Sequence, residues 1–332
     1  MKKKQIFIGI DVSKAKLDVF IYGIKTYFVV ENSPQGFVQL LETCIKSASC
    51  KKRDLFFCFE NTGKYSRMLS VFLASQGILF AMESALKIKK SFGITRGKND
   101  KVDSERIALY AYEKRESLTP TVLPGGEIDQ IKSLLSLRNK LIRHRTAYKN
   151  GTTDLNDCYQ DGETNMLKEV QQRLIAALNE EIKKVEKQIR TIIKEDENLS
   201  KNFQLIMSVK GIGKIVAFYL IAFTANFTQI TNARAFACYA GIAPFDHSSG
   251  TWKGTTRVNH LANKQIKSIL NMAALSAVNS RGEYQLYYQK RINELGKNKM
   301  STLNIVCNKI VHRAFAVVNR GTPYVDFLKF AA

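Results

Sequence analysis

Apolar residues in the first part of the chain fall into short runs that predict strands. Three such runs occupy residues 5–12, 17–22 and 26–30, with short turns between them. This spacing predicts an antiparallel meander. A helical pattern follows at 36–45, then a strand at 55–60, a helix at 66–74 and a strand at 78–82. Antiparallel strands followed by strands that alternate with helices predict a mixed α/β sheet.

The pattern changes beyond residue 100, where helical spacing takes over. A helix is predicted at about residues 103–114, and the proline- and glycine-containing stretch 120–126 is typical of a linker. Two long helical patterns, separated by the polar stretch 150–164, predict an antiparallel helical hairpin or coiled coil. From about residue 203 the pattern is mostly helical. We therefore predict three domains, at residues 1–120, 121–200 and 201–332.

The charge of the chain indicates a polyanionic partner. Its 332 residues include 51 Lys and Arg against 29 Asp and Glu, a formal charge of +22. Nucleic acid is the first candidate partner. No membrane partner is expected, because no apolar stretch approaches the roughly 18 residues of a spanning helix. With no secretion signal at the N-terminus, and six dispersed cysteines that form no zinc pattern, we expect a cytoplasmic, nucleoid-associated protein with reduced thiols.

Four acidic residues stand at the ends of predicted elements. Asp11 ends the first strand, Glu60 ends the strand at 55–60, and Asp100 and Asp103 open a helix. In a sheet of the ribonuclease H type such strand ends lie close together, and two acids three apart share one helix face. Crowded carboxylates favour Mg²⁺ or Mn²⁺, and two such ions support phosphoryl transfer. Alternatively, either helix acid is an N-cap residue, and the strand-end acids form turns.

A glycine turn between two apolar helical segments is the next candidate site. Gly211 and Gly213 frame it, with Lys210 and Lys214 on either side. This arrangement predicts a helix-hairpin-helix whose backbone amides contact a DNA phosphate. The alternative is a simple connection between helices.

The following stretch, 239–254, is rich in Gly, Ser and Pro and predicts an exposed loop. Ser248 and Ser249 lie in it beside His247, a candidate for a neighbouring base. Nothing in the residues alone makes either serine nucleophilic.

Several of these segments together resemble one family. The segments 9–14 with 17–19, 60–65 and 98–103 are similar to the DEDD transposases of bacterial insertion sequences, the insertion-sequence 110 family, to which pilin-gene invertases are related. The segments 209–213 and 240–250 match the second domain of that family in order and spacing. The resemblance covers nearly the whole chain.

The resemblance implies a fold, an activity and a set of partners. It implies a RuvC-like (ribonuclease H-type) domain, a coiled-coil linker and a mostly α-helical transposase domain. The four acids would bind magnesium, and a serine, Ser249 with Ser248 as the alternative, would attach to DNA. A structured non-coding RNA would guide recombination of donor and target DNA, in a dimer or tetramer. On the linker helices, Arg138, Arg143 and Arg145 would contact phosphate or RNA, the alternative being a solvated helix face.

Two departures and three other readings stand beside this resemblance. Asn99 and Ser104 replace the usual residues around Asp100 and Asp103, and Ala262 stands where the family tends to have glycine. The main alternative function is a metal-dependent Holliday-junction-type nuclease without a serine–DNA intermediate. An actin-like kinase or ATPase would need a glycine-rich phosphate loop after Asp11, which the sequence lacks. A non-catalytic architectural nucleic-acid binder is the last reading.

Overall fold

The structure, a computed structural model, describes residues 5–93, 99–158, 165–246, 248–259 and 261–325, with side chains described for all of these except 152–158, 165 and 253. Contacts between Cα atoms divide the chain into two units, Met1–Leu123 and Pro124–Ala332. The division into three domains made from the sequence remains a prediction.

The first unit is built on a five-stranded sheet. Its elements in chain order are β1 Ile6–Val12, β2 Lys16–Ile21, β3 Thr26–Glu31, α1 Pro34–Ala48, β4 Leu55–Glu60, α2 Lys64–Ser75, β5 Leu79–Glu83, α3 Ala85–Ser91 and α4 Asp100–Glu113. The strands lie in the order β3-β2-β1-β4-β5. The first three pair antiparallel, whereas β4 pairs parallel to β1 and to β5. The predicted mixed α/β sheet is confirmed.

The two faces of this sheet differ because alternate residues of each strand point to opposite sides. Ile8, Ile10 and Val12 of β1 join one core, which also contains residues of α1 and α2. Gly9 faces the other way, toward α4. A Cβ atom on Gly9 would overlap the backbone nitrogen of Ala108 in α4. The helix therefore lies directly against the central strand because this position has no side chain.

The second unit is mostly helical, as predicted. Its elements are α5 Gly126–Cys158, α6 Asn165–Glu195, α7 Glu197–Met207, α8 Lys214–Thr224, α9 Ala233–Ala240, β6 Pro244–Phe245, β7 Ser248–Ser249, β8 Trp252–Lys253, β9 Arg257–Val258, α10 Lys264–Asn279, α11 Glu283–Gln289, a π-helical turn Lys290–Glu294 and α12 Lys299–Arg320. Helix α5 continues into the stretch predicted as a polar loop.

Helices α5 and α6 pack against each other in opposite directions. Arg138 Nε donates to Glu186 Oε1 at 2.9 Å, and Arg145, two turns later, donates from Nη1 to Asn179 Oδ1 at 3.1 Å. The partner number falls as the arginine number rises, so the helices are antiparallel. Ile189 of α6 is fully buried in the core of this unit.

Helix α8 is the most apolar helix of the second unit and lies in its core. Phe218, Leu220 and Ile221 are almost completely buried, on different sides of the helix. At 11 residues it is about 17 Å long, whereas a bilayer core is about 30 Å thick. None of the helices in the described residues has the length and apolar character that crossing a membrane requires.

The stretch predicted as an exposed loop contains two small antiparallel ladders. Strand β6 pairs with β9, and between these two strands in the chain β7 pairs with β8. We call residues 244–258 the serine ribbon. Each strand is only two residues long, and an alternating pattern needs at least four residues to be recognised. Composition alone therefore indicated the exposure of this segment but not its pairing.

Candidate functional site

Two of the predicted acids lie side by side at the end of the sheet. Asp11 is in the last part of β1, and Glu60 ends β4. The parallel register pairs Ile10 with Phe59, so the next position along each strand places Asp11 beside Glu60. Both residues alternate with core residues, which puts their side chains on the face that α4 covers.

The other two predicted acids lie in the first turn of α4. Asn99 is the N-cap residue of this helix, and its side chain accepts a hydrogen bond from the Lys101 backbone at 3.1 Å. Neither Asp100 nor Asp103 is therefore the N-cap, which removes the main structural alternative for them. Asp103 is paired with Arg106 at 3.1 Å. The helix brings this turn to the same sheet face as Asp11.

The Asp11 carboxyl is coupled electrostatically to both acids of α4 and to Asp18. Burial raises the pKa of the Asp11 carboxyl, and the negative charges of Asp100, Asp103 and Asp18 raise it further. Lys16 acts in the opposite direction but is the smallest contribution. A carboxylate whose charged form is disfavoured by its neighbours favours the binding of a cation or a proton.

Sequence reasoning missed two charged residues of this site, Asp18 and Lys16. Asp18 pairs directly with Asp11 across β1 and β2, and it is only 1% exposed. Its Oδ1 accepts a hydrogen bond from the Tyr27 hydroxyl at 2.6 Å. Lys16 Nζ lies 3.1 Å from Asp18 and 2.8 Å from Asp100. A lone aspartate in the apolar run of β2 was the available signal, because a buried acid requires partners.

The donor set suits a hard divalent cation, since carboxylate oxygens are the ligands that such ions prefer. The raised pKa of Asp11 agrees with this, because a cation would relieve the repulsion among the acids. Within the described residues, however, no three side chains of His, Cys, Asp or Glu converge on one metal-binding point. Lys16 contributes the positive charge beside Asp100. The residues fit a cation in chemistry and charge, and binding requires them to move closer together.

The glycine turn between α7 and α8 combines packing with exposure. Gly211 has φ +91°, and a Cβ there would lie 2.8 Å from the Ala273 carbonyl oxygen of α10. Gly213 instead is exposed and begins α8 with open space around it. Lys210 Nζ donates to the Arg281 carbonyl, and Lys214 pairs with Glu186 at 2.8 Å. Of the two glycines, Gly213 is the one whose surroundings leave room for a ligand.

The three predicted arginines of α5 point in different directions. Arg138 shares Glu186 with Lys214, and its side chain is 13% exposed. Arg145 contacts Asn179 of α6. Arg143 is exposed and lines a concave cleft of about 180 Å³ together with Lys132 and Lys140. Arg143 is therefore the predicted arginine best placed to meet a phosphate group.

The serine ribbon presents Ser249 at its tip. Ser249 pairs directly with Trp252, and Gly250 between them has φ +57°, as required at the first central position of a tight hairpin turn. Directly opposed residues share a face of a ladder, so Ser249 and Trp252 are neighbours, whereas Ser248 points to the other face. Trp252 is 62% exposed, an aromatic surface that sequence reasoning missed. His247 lies outside the described residues.

A basic chain with carboxylates on one sheet face and in the helix that covers it has the charge and the donor groups that enzymes acting on nucleic-acid phosphates use. Comparison with known proteins defines this further. Residues 8–156 match the DEDD family model described as "Transposase", and residues 203–289 match the model "Transposase IS116/IS110/IS902 family". Together the matches cover more than half of the chain. The chain belongs to this insertion-sequence transposase family and is a DNA recombinase or transposase.

Individual relatives agree with this assignment. The chain is 25% identical over 326 residues to the pilin gene-inverting protein of Moraxella lacunata, covering 96% of this chain and 97% of that protein. It is 22% identical to the transposase for insertion sequence element IS1111A of Coxiella burnetii, covering 70% and 69%. An IS110 protein of Streptomyces coelicolor is 27% identical over 150 residues, 45% of this chain and 36% of that protein. DEDD transposases typically use a divalent metal ion.

Proposed function

We propose that this transposase cuts and rejoins DNA strands of an insertion sequence by combining the four carboxylates Asp11, Glu60, Asp100 and Asp103 with a serine nucleophile, Ser249. The observation that carries the proposal is the coupling of Asp11 with Asp100 and Asp103 on one face of the sheet. Glu60 ends the strand beside Asp11 and has its side chain on the same face, so the four acids are grouped on one side of the sheet.

The sheet supports a RuvC-like, ribonuclease H-type catalytic domain. Three antiparallel strands followed by two parallel ones, in the order β3-β2-β1-β4-β5, place the central strand between both kinds of neighbour. Asp11 is on that central strand. In this arrangement the strand ends and the start of α4 meet on one face, which is where a phosphoryl-transfer site needs its ligands.

Asp11, Glu60, Asp100 and Asp103 would hold Mg²⁺ or Mn²⁺. When bound, such an ion activates the attacking oxygen and stabilises charge on the phosphate and the leaving oxygen. Asp18 positions Lys16 through its ion pair, and Lys16 in turn neutralises Asp100. Lys16 is therefore the cation beside these acids, although its effect on the pKa of Asp11 is smaller than that of the neighbouring carboxylates.

Ser249 supplies the nucleophile in this proposal. Its Oγ would form a bond to the scissile phosphorus while the bond from phosphorus to a deoxyribose oxygen breaks, and the proton of the serine would pass to a carboxylate or to solvent. A later attack by a deoxyribose hydroxyl would reverse these changes and release the serine. The position of Ser249 at an exposed hairpin tip supports this role, because a backbone as large as DNA can reach it.

The nucleic-acid partners follow from charge and family. Donor and target DNA would contact the turn containing Lys210, Gly211, Gly213 and Lys214. A structured non-coding RNA would guide the enzyme, with Arg143 as the exposed arginine of α5 for either nucleic acid. Arg138 and Arg145 would contribute after exchanging their partners on α6. Such binding should weaken steeply with salt. We also propose that the protein acts as a dimer or tetramer and associates with the nucleoid.

The decisive experiment compares Asp11→Asn, Ser249→Ala and the matched control Ser248→Ala in a strand-exchange assay with the element and its flanking DNA. Exchange should fall by roughly 10³-fold or more in the first two variants, since each removes a group that acts on the reacting phosphate. Ser248→Ala should retain exchange, because its side chain lies on the opposite face of the ribbon.

A second measurement separates recombination from simple hydrolysis. Denaturing electrophoresis of the reaction should reveal a covalent protein–DNA adduct in the wild type and in Ser248→Ala, and none in Ser249→Ala. If Ser249→Ala still cleaves DNA at the wild-type rate and no adduct forms, the enzyme is a junction-type nuclease. A third experiment tests whether strand exchange needs a guide RNA. The purified protein is treated with ribonuclease, and transcripts from the element ends are then added.

A further inference from the structure

A cavity in the second unit has no role in the function described above. It has a volume of about 660 Å³ and lies between α10 and α12, beside the ladder formed by β6 and β9. Ile242, Pro244 and Ile305 give it an apolar wall. Typical small-molecule sites occupy about 300–1,000 Å³ and combine apolar walls with a few placed polar groups. The size and the lining are therefore those of a ligand site.

The polar groups of this cavity include three asparagine amides. Asn271 lies on α10, and Asn304 and Asn308 lie one turn apart on α12. The amide of Asn304 is held by its bond from Nδ2 to the Ile242 carbonyl at 2.8 Å. Asn308 Oδ1 is buried and has no hydrogen-bond partner among the described residues. A buried acceptor without a donor is costly, and this oxygen would gain a partner if the Asn308 side chain turned toward the cavity and accepted from an N–H group of a ligand.

Positive charge lies on the same cavity. Arg257 of β9 and Lys267 of α10 line it, together with Met300 and Ser301 from the first turn of α12. Helix α12 has 22 residues, and the N-terminal end of a helix carries a partial positive charge. The cavity thus joins amides and apolar walls, which suit a heterocyclic base, with cations that suit a phosphate.

We propose that this cavity binds one unpaired nucleotide of a DNA or RNA strand. The base would lie against the asparagine amides, which can donate to and accept from a base edge, and its phosphate would lie near Arg257 and Lys267. A paired base cannot enter, so the nucleotide must come from a single strand or leave its duplex. The inference rests on the action of the family on DNA and is independent of the assignment of Ser249.

The test uses full-length protein and mixed-sequence oligonucleotides that carry one central 2-aminopurine. Single-stranded DNA, single-stranded RNA and a fully paired DNA duplex are compared. None of the described residues that line the cavity is aromatic, so a 2-aminopurine that enters it loses its stacked neighbours without gaining a new stacking partner. The emission of 2-aminopurine should therefore rise on binding of a single strand. The strand type with the larger rise identifies the source of the nucleotide.

Three variants tie this signal to the cavity. Ser301→Phe fills it, Asn308→Leu removes an amide, including its unpartnered oxygen, at nearly constant size, and Lys267→Gln removes one of the two cations. Each should weaken single-strand binding by roughly tenfold and suppress the rise in emission. The matched control Lys264→Gln, an exposed lysine one turn away on the same helix, should do neither.

Thermal unfolding separates these effects from misfolding. Lys267 is half-buried on the surface of α10, so its glutamine variant should unfold near the wild-type temperature and still lose the signal. Wild-type affinity and emission in both Ser301→Phe and Lys267→Gln would overturn the proposal. Strand exchange is not part of the readout, so the result is separate from that of Ser249→Ala.

Discussion

The sheet face of the first unit that carries Asp11 and Glu60 and the serine ribbon of the second unit hold their candidate groups in contrasting ways. Asp11 is fixed by a five-stranded sheet, between an antiparallel and a parallel neighbour, beneath a helix that contacts the strand backbone. Ser249 is at the tip of a ladder of two-residue strands and is exposed. The acids are therefore held by the core of their unit, whereas the serine depends on few interactions.

This contrast suits the chemistry that each region would perform. Metal ligands must converge on one point, and strands of a buried sheet fix positions more closely than loops do. A nucleophile that becomes attached to DNA needs an accessible position instead, and exposed connections commonly carry such groups. The difference predicts that substitutions behind the acids act through the fold, whereas substitutions on the ribbon leave the fold intact and act on the reaction with DNA.

The largest effect is expected from Gly9→Ala. The added methyl group would overlap the backbone of α4 at Ser104 and Ala108, so the helix must move away from β1. Overpacking of this kind costs about 1–3 kcal/mol and at times more. The shift would also separate Asp100 from Asp11 and abolish strand exchange. Thermal unfolding and the exchange assay should both respond.

Gly126→Ala is the matched control for this substitution. Gly126 begins α5, has no atom within 4 Å of an added Cβ, and has no positive φ angle. Alanine there should leave the unfolding temperature unchanged or raise it slightly. Equal stability of Gly9→Ala and wild type would show that α4 is not held against the central strand as described.

Particular residues show what the sequence could and could not reveal. Asp11 and Glu60 end long apolar runs, and this strong pattern gave both their strands and their common face. Asp18 was missed because its importance depends on the register between β1 and β2, which pairs it with Asp11. Register is a tertiary property that single-strand patterns do not contain.

The ribbon and the helical hairpin show the same limit. Trp252 and Ser249 become neighbours only through a turn of two residues, which is too short for a periodic signal. On α5, Arg138, Arg143 and Arg145 form one basic cluster in sequence, yet two of them contact α6 and one is exposed. The positions of the arginines in the sequence do not indicate which side of α5 is covered by α6.

Trp252→Ala tests the ribbon side of the comparison and should have an intermediate effect. The indole is on the same face as Ser249 and is 62% exposed, so it offers a stacking surface for a base near the attacked phosphate. Stacking on an aromatic side chain contributes about 1–3 kcal/mol per base, so exchange should fall roughly 10- to 100-fold. Trp252→Phe should recover most of the loss.

The fold of the second unit should be unaffected by the same change. An exposed side chain on a two-residue strand makes few stabilising contacts, so Trp252→Ala should unfold at the wild-type temperature. A large drop in the unfolding temperature would show that the indole stabilises the fold. The ribbon would then not differ from the region around Gly9 in its dependence on packing.

The smallest effect concerns the pH dependence of stability in Asp11→Asn. Burial and the charges of Asp100, Asp103 and Asp18 raise the pKa of Asp11 above its usual 3.8, so the folded state binds its proton more tightly than the unfolded state does. At a pH above the pKa that Asp11 has in the folded protein, its ionised carboxylate therefore destabilises the fold. This cost disappears as the pH falls through that pKa toward 3.8.

In the presence of a chelator, Asp11→Asn should consequently unfold at a higher temperature than the wild type at pH 7, and the two should converge as the pH approaches 4. Glu42→Gln, which neutralises an exposed acid on α1 of the same unit, should show no such convergence. Addition of Mg²⁺ at pH 7 should reverse the order, because the cation stabilises only a protein that keeps its ligand. If Asp11→Asn instead unfolds at a lower temperature than the wild type under chelating conditions at pH 7, the carboxylates of the sheet face do not repel one another, and the argument for a cation among them fails.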